Sequence, residues 1–153
     1  MAIAQAVCNS FKKELLEGYH DFSASGGDTF KIALFTSSAS LGATTTAYST
    51  SNEVTNSSGS AYSAGGETLT GQSVTGGSSA STAYVDFSND AQWTSASFTA
   101  NGAMIYNTTA DGGSNTTNAV AILAFGADFT ATNGTFTVQF PAPGTSTAIL
   151  RLS

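Results

Sequence analysis

The sequence predicts an all-β fold, a β-sandwich of about eight short strands preceded by one amphipathic helix, and three observations lead there. Counting along the chain gives 22 Ser, 23 Thr and 16 Gly. Thr suits a pleated surface, while Gly and Ser suit the turns between strands. Aromatic residues make up 10% and hydrophobic residues 41% of the chain, which supplies the apolar area that a disordered polar tract lacks. After Gly18 the apolar residues alternate in short runs separated by Gly, Ser and Asn. A jelly roll is one form such a sandwich can take.

A chain of 153 residues is expected to fold as one domain around one core, with no disulfide or metal staple required. Residues 1–18 read as an N-terminal helix or anchor, and residues 19–153 as a single sandwich domain. In the first part Ile3, Val7, Phe11 and Leu15 recur every four residues, with Ala4, Cys8 and Leu16 beside them. Gly18 stands where a glycine would stop the helix. A helix of this length is marginal alone in water, so its stripe must pack on the sandwich or on a neighbouring subunit. Ile3, Val7, Phe11, Leu15 and Leu16 are therefore the candidate interface residues.

The expected strands follow in order. Phe30–Thr36 sets Phe30, Ile32 and Leu34 on one apolar face. Thr68–Thr75 comes next, and Thr82–Phe87 sets Ala83, Val85 and Phe87 against Thr82, Tyr84 and Asp86. Ser97–Thr99 and Ala103–Asn107 flank the pair Asn101-Gly102. Val120–Phe125 is apolar on both faces, as a central strand should be. Thr135–Phe140 points Phe136, Val138 and Phe140 inward and ends at Pro141 and Pro143, after which Thr147–Leu152 closes the chain. The irregular stretch Ser37–Gly66 reads as an extended surface loop or arm.

Charge excludes several function classes. Ten acids face four bases (Lys12, Lys13, Lys31 and Arg151), for a net charge of −6. Binding to nucleic acid or to an anionic membrane needs Lys and Arg, so neither partner is expected. Charged residues are 9% of the chain, and a surface of Ser, Thr and Gly has little side-chain entropy to lose when immobilised. Cys8 has no partner for a disulfide and reads as a small core residue. The N-terminus lacks the order of a signal peptide, because Lys12 and Lys13 follow the apolar stretch. The longest apolar run, Ala119–Phe125, is too short to span a bilayer, and the reading is of a soluble protein made in the cytoplasm.

No motif carries chemistry. His20 is the single histidine that could serve a serine nucleophile as base, and no G-x-S-x-G elbow accompanies it. Asp86, Asp90, Asp111 and Asp128 offer carboxylates without a setting that marks a glycosidase pair. Asp86, Ser88 and Asp90 have the alternation of a calcium loop, yet its sixth and twelfth positions hold Ala91 and Ser97 in place of Gly and Glu. One Cys and one His argue against zinc. The Gly pairs at 26–27, 65–66, 76–77 and 112–113 form no phosphate loop. Sequons at Asn56, Asn107, Asn115 and Asn133 mean little in a chain so rich in both residue types. No enzyme activity, cofactor or metal is expected.

Several segments, in order, resemble a family of small structural proteins of tailed phages of aquatic bacteria, cyanophages among them. They are Met1–Phe22, Phe30–Val54, Ala61–Gly71 (AYSAGGETLTG), Trp93–Asn107 (WTSASFTANGAMIYN) and Ala119–Pro141. The stretches 56–60 and 111–115 are longer than that pattern. The resemblance covers most of the chain and implies a virion component with no catalytic residues. The expectation is a head decoration or cement protein, made in the host cytoplasm and assembled on the particle. Its partner would be the major capsid protein or another virion protein, and it would form a homo-oligomer, for instance a trimer. The second reading is a tail-fibre, spike or baseplate-associated module, with Tyr48, Tyr62 and Tyr84 in loops that touch host sugars.

Overall fold

The computed structural model describes residues 2–55, 59–77, 80–109 and 117–153. Asn56, Asp111, Gly112, Gly113 and Asn115 lie outside the described residues. The described elements are β1 (Ala6–Val7), α1 (Asn9–Leu16), β2 (Phe30–Phe35), β3 (Glu67–Thr68), β4 (Gln72–Thr75), β5 (Ala83–Phe87), β6 (Ala91–Asn107), β7 (Asn118–Val138) and β8 (Leu150–Leu152). They form one sheet of order β1-β7-β6-β2-β3 and a second of order β4-β5-β8. All named pairs are antiparallel, and the result is the all-β sandwich the composition calls for. Among the described residues no helix is long and apolar enough to cross a membrane.

The N-terminal stripe folds in two pieces instead of one helix. Ala6 and Val7 pair with Ile122 and Ala121 on the outer edge of β7. The helix begins only at Asn9, after Cys8 in extended conformation, whose N–H donates to the Val120 carbonyl at 3.0 Å. An open strand edge offers unpaired backbone groups, and satisfying them outweighs two more turns of helix. Phe11 then enters the main core beside His20 and Phe22, at ring distances of 4.8 and 6.1 Å. The segment is thus built into the sandwich.

Two long strands replace four expected short ones. β6 has 17 residues and β7 has 21, and they pair along their length. Asn101-Gly102 is not a turn but lies inside β6, opposite a β7 bulge at residues 125–128. Gly102 is needed there because a Cβ would stand 2.7 Å from the Leu123 carbonyl oxygen. β2 covers only Gly102–Asn107 of β6, so the other half of the pair runs on as a two-stranded ribbon. Trp93, Phe98 and Phe136 pack its inner face, with Trp93 and Phe98 on Tyr62 at 5.9 and 5.6 Å. The expected single strand Thr68–Thr75 also breaks, at Gly71 (φ 67°), and its halves join different sheets.

The stretch 37–66 does not project as an arm. Its described part folds onto the core, burying Ala39, Val54 and Tyr62. Glu53 holds it there. Its buried carboxylate accepts from Tyr62 Oη at 2.6 Å, Tyr48 Oη at 2.7 Å and Gly65 N at 2.7 Å. Tyr62 Oη in turn accepts from the Leu34 N–H at 2.9 Å, and Tyr106 Oη donates to the Gly65 carbonyl at 2.8 Å. A buried carboxylate with three donors is satisfied in place of water. Between the sheets, Phe22 stacks on Phe30 at 4.3 Å, and Phe87 bridges Phe30 and Phe140 at 6.0 and 6.1 Å.

Candidate functional site

An apolar groove lies between α1 and the second sheet. Register builds one wall: Val74 pairs with Val85, and Val85 with Leu150, so the three side chains form a row across β4, β5 and β8. Two residues on, Ala83 pairs with Leu152 and continues the same face. The facing wall is Val7, Phe11, Leu15 and Leu16, and Phe22 also lines the groove. The volume is about 510 Å³, within the range of sites that hold a ligand or an anchoring side chain. Leu16, Val74 and Leu152 stand at its margin with 91%, 57% and 63% of their surface exposed. Lys12 and Asp21 also line the groove, whereas the Arg151 side chain, between Leu150 and Leu152 and paired with Tyr84, lies on the other face of β8 and donates to the Thr145 carbonyl at 2.9 Å.

His20 reaches the groove floor but is committed elsewhere. Asn107 Oδ1 accepts from the Thr109 N–H at 2.8 Å, and its Nδ2 donates to Asp28 Oδ2 at 2.6 Å, which sets the amide orientation. The same Nδ2 faces His20 Nδ1 at 3.1 Å, so Nδ1 accepts and Nε2–H donates to Glu14 at 2.9 Å. Both ring nitrogens are thereby occupied, and the ring ties α1 to β6. No serine hydroxyl is among its partners.

The carboxylates considered for chemistry are dispersed. Asp86 lies within β5 opposite Ser73, Asp90 accepts from the Phe140 N–H at 2.9 Å, and Asp128 accepts from Asn101 Nδ2 at 2.8 Å. Among the described residues no group of three or more His, Cys, Asp or Glu could hold a metal ion. Cys8 is buried, and burial with the charge of Glu14 pushes its thiol up to about 11. The tyrosines expected in sugar-binding loops are differently placed: Tyr62 is buried, Tyr48 stacks on Tyr106 at 4.4 Å, and Tyr84 lines the groove.

Of the five candidate interface residues, Val7, Phe11, Leu15 and Leu16 meet at the groove. Ile3 does not; it bridges Leu41 and packs over Gly102. Phe11 is buried and serves the protein's own core, while Leu16 is free to touch a partner. The second wall escaped sequence reasoning, although the alternations 83/85 and 150/152 were its visible half. A second hollow, about 460 Å³, lies on the ribbon beside Phe125, Phe129 and Phe136. Compared with protein-family models, curated proteins and solved structures, the chain matches none.

Proposed function

We propose that the protein is a structural component of a tailed-phage particle, a decoration or cement protein that stabilises the head by binding the major capsid protein. The observation that carries this reading is the exposed apolar groove at α1. Large apolar side chains left in water beside a concave apolar surface mark a binding surface for protein. The ordered resemblance of five segments to phage structural proteins supplies the particle, and the low charge of the chain suits permanent burial. The groove has the chemistry of adhesion: apolar walls, Lys12 and Asp21 beside them, and a histidine whose nitrogens are both engaged.

The mechanism is mass action. A protein that binds only the assembled shell lowers the free energy of that shell and raises its rupture temperature. Purified protein added to heads stripped of accessory proteins should raise that temperature, and Leu16→Glu with Val74→Glu should abolish the rise. Both side chains are exposed, so the variant should fold as the wild type does. Failure to bind heads, together with labelling of tails or host cells, would move the protein to the tail-associated, host-contact role.

A further inference from the structure

We propose that Asn133 is a self-modification site, at which the chain closes a cyclic imide with Gly134 and opens it to aspartate or isoaspartate; the site depends on neither the groove nor the virion reading. The chain has two Asn-Gly pairs, Asn101-Gly102 and Asn133-Gly134. Glycine after asparagine leaves the peptide nitrogen open to the side-chain carbon, because no Cβ stands in the way. Water is the only co-reactant. The Gly134 nitrogen gives its proton to solvent base and bonds to Cγ of Asn133, the Cγ–Nδ2 bond breaks, and Nδ2 leaves as ammonia. Water then adds at either imide carbonyl, which gives aspartate or a backbone rerouted through the side chain.

The fold separates the two pairs. Gly102 lies inside the sheet, paired with Phe35 of β2 on one side and Ala124 of β7 on the other. Asn101 Nδ2, the group that must leave, donates to Asp128 at 2.8 Å. Ring closure there waits for β6 to open between two neighbours. Asn133 lies on the two-stranded ribbon, beyond Ala121 and Ile122, where β1 covers the outer edge of β7. It belongs to a bulge: β7 runs from Ala131 to Gly134 while β6 runs only from Phe98 to Ala96, so β7 has a residue left over. Asn133 is exposed and takes a left-handed φ of 46°, which its short polar side chain tolerates. Ser97 Oγ accepts from its N–H at 2.9 Å and lies 3.4 Å from Oδ1, and among the described residues Nδ2 meets no acceptor. The leaving group therefore stands free in water. An isoaspartate lengthens the backbone at a point already out of register, so the ribbon can absorb it.

Peptide mapping by mass spectrometry of the purified full chain, held in mildly alkaline buffer and sampled over time, reads both sites together. Asn133 is expected to convert at least about tenfold faster than Asn101, with isoaspartate among the products. In urea, where both pairs lie in open chain, the two rates should converge. Gly134→Ala sets a Cβ 3.7 Å from the Thr132 carbonyl oxygen, an ordinary contact, so the variant should keep its circular dichroism while Asn133 converts more slowly by about tenfold. The proposal is overturned by an Asn133 that stays intact or converts no faster than Asn101 in the folded chain, by a rate gap that persists in urea, or by conversion of the Gly134→Ala variant at the wild-type rate.

Discussion

Tyr62→Phe removes one buried oxygen and leaves the ring that packs on Trp93 and Phe98. That oxygen donates to the Glu53 carboxylate at 2.6 Å and accepts from the Leu34 N–H at 2.9 Å. A hydrogen bond to a charged group contributes about 1.5–3 kcal/mol, and a buried N–H left without a partner costs about 1–3 kcal/mol. The two losses share one site and overlap, so a destabilisation of about 3 kcal/mol is expected. For a chain of this length that is a fall of about 6–12 °C in Tm. Tyr48→Phe is the control: its hydroxyl meets the same carboxylate at 2.7 Å but on the half-buried side, and the one backbone N–H beside it, that of Gly65, keeps the Glu53 carboxylate as acceptor at 2.7 Å. Urea unfolding followed by circular dichroism measures both. A Tyr62→Phe loss below about 0.5 kcal/mol, or one no larger than that of Tyr48→Phe, would refute the role given to Glu53 as the tie between the 37–66 stretch and the core.

Three further outcomes are expected. Phe11→Ala should cost about 3–5 kcal/mol in the same assay because its ring is buried, whereas Leu16→Ala should fall within about 0.5 kcal/mol. Deleting residues 1–17 should abolish cooperative thermal unfolding, since it strips β1 from the β7 edge and takes Cys8 and Phe11 out of the core; a truncated chain that melts like the full one would show the segment to be a detachable anchor. Alkaline pH should unfold the protein. Burial, followed by the Glu53 charge, pushes the Tyr106 phenol up to about 12, burial and hydrogen bonds to Glu53 raise Tyr48 and Tyr62 further, and the Cys8 thiol stands at about 11. Folded values above unfolded ones mean that this stability is intact below about pH 9 and is lost as pH rises toward 12; a melting temperature unchanged between pH 8 and 11.5 would contradict it.

Strand content was legible in the sequence wherever alternation was local. Strands form at Phe30–Phe35 and Ala83–Phe87 and the set Phe136, Val138 and Phe140 is buried, although β2 is buried on both faces where alternation pointed to one. What misled was punctuation. Asn101-Gly102 has the composition of a hairpin turn, yet here glycine answers a close approach to the Leu123 carbonyl, a fact of pairing partners that local pattern does not contain. Likewise the helical spacing from Ile3 to Leu15 is real, but the open edge of β7 claims Ala6 and Val7 first. The groove was half visible: α1 declared its apolar stripe, while the opposing row Val74, Val85 and Leu150 exists only through the register of three strands far apart in the chain. Glu53 gave no signal as a buried charge, because its three donors come from Tyr48, Tyr62 and Gly65 through the folded loop.

The central claim, a role in building the particle, is tested most directly by counting the protein in purified virions by quantitative mass spectrometry against the major capsid protein. A decoration protein should be present in numbers comparable to the capsid subunits and should remain with the heads when heads and tails are separated. Absence from washed particles, or a few copies that travel with the tails, would contradict it.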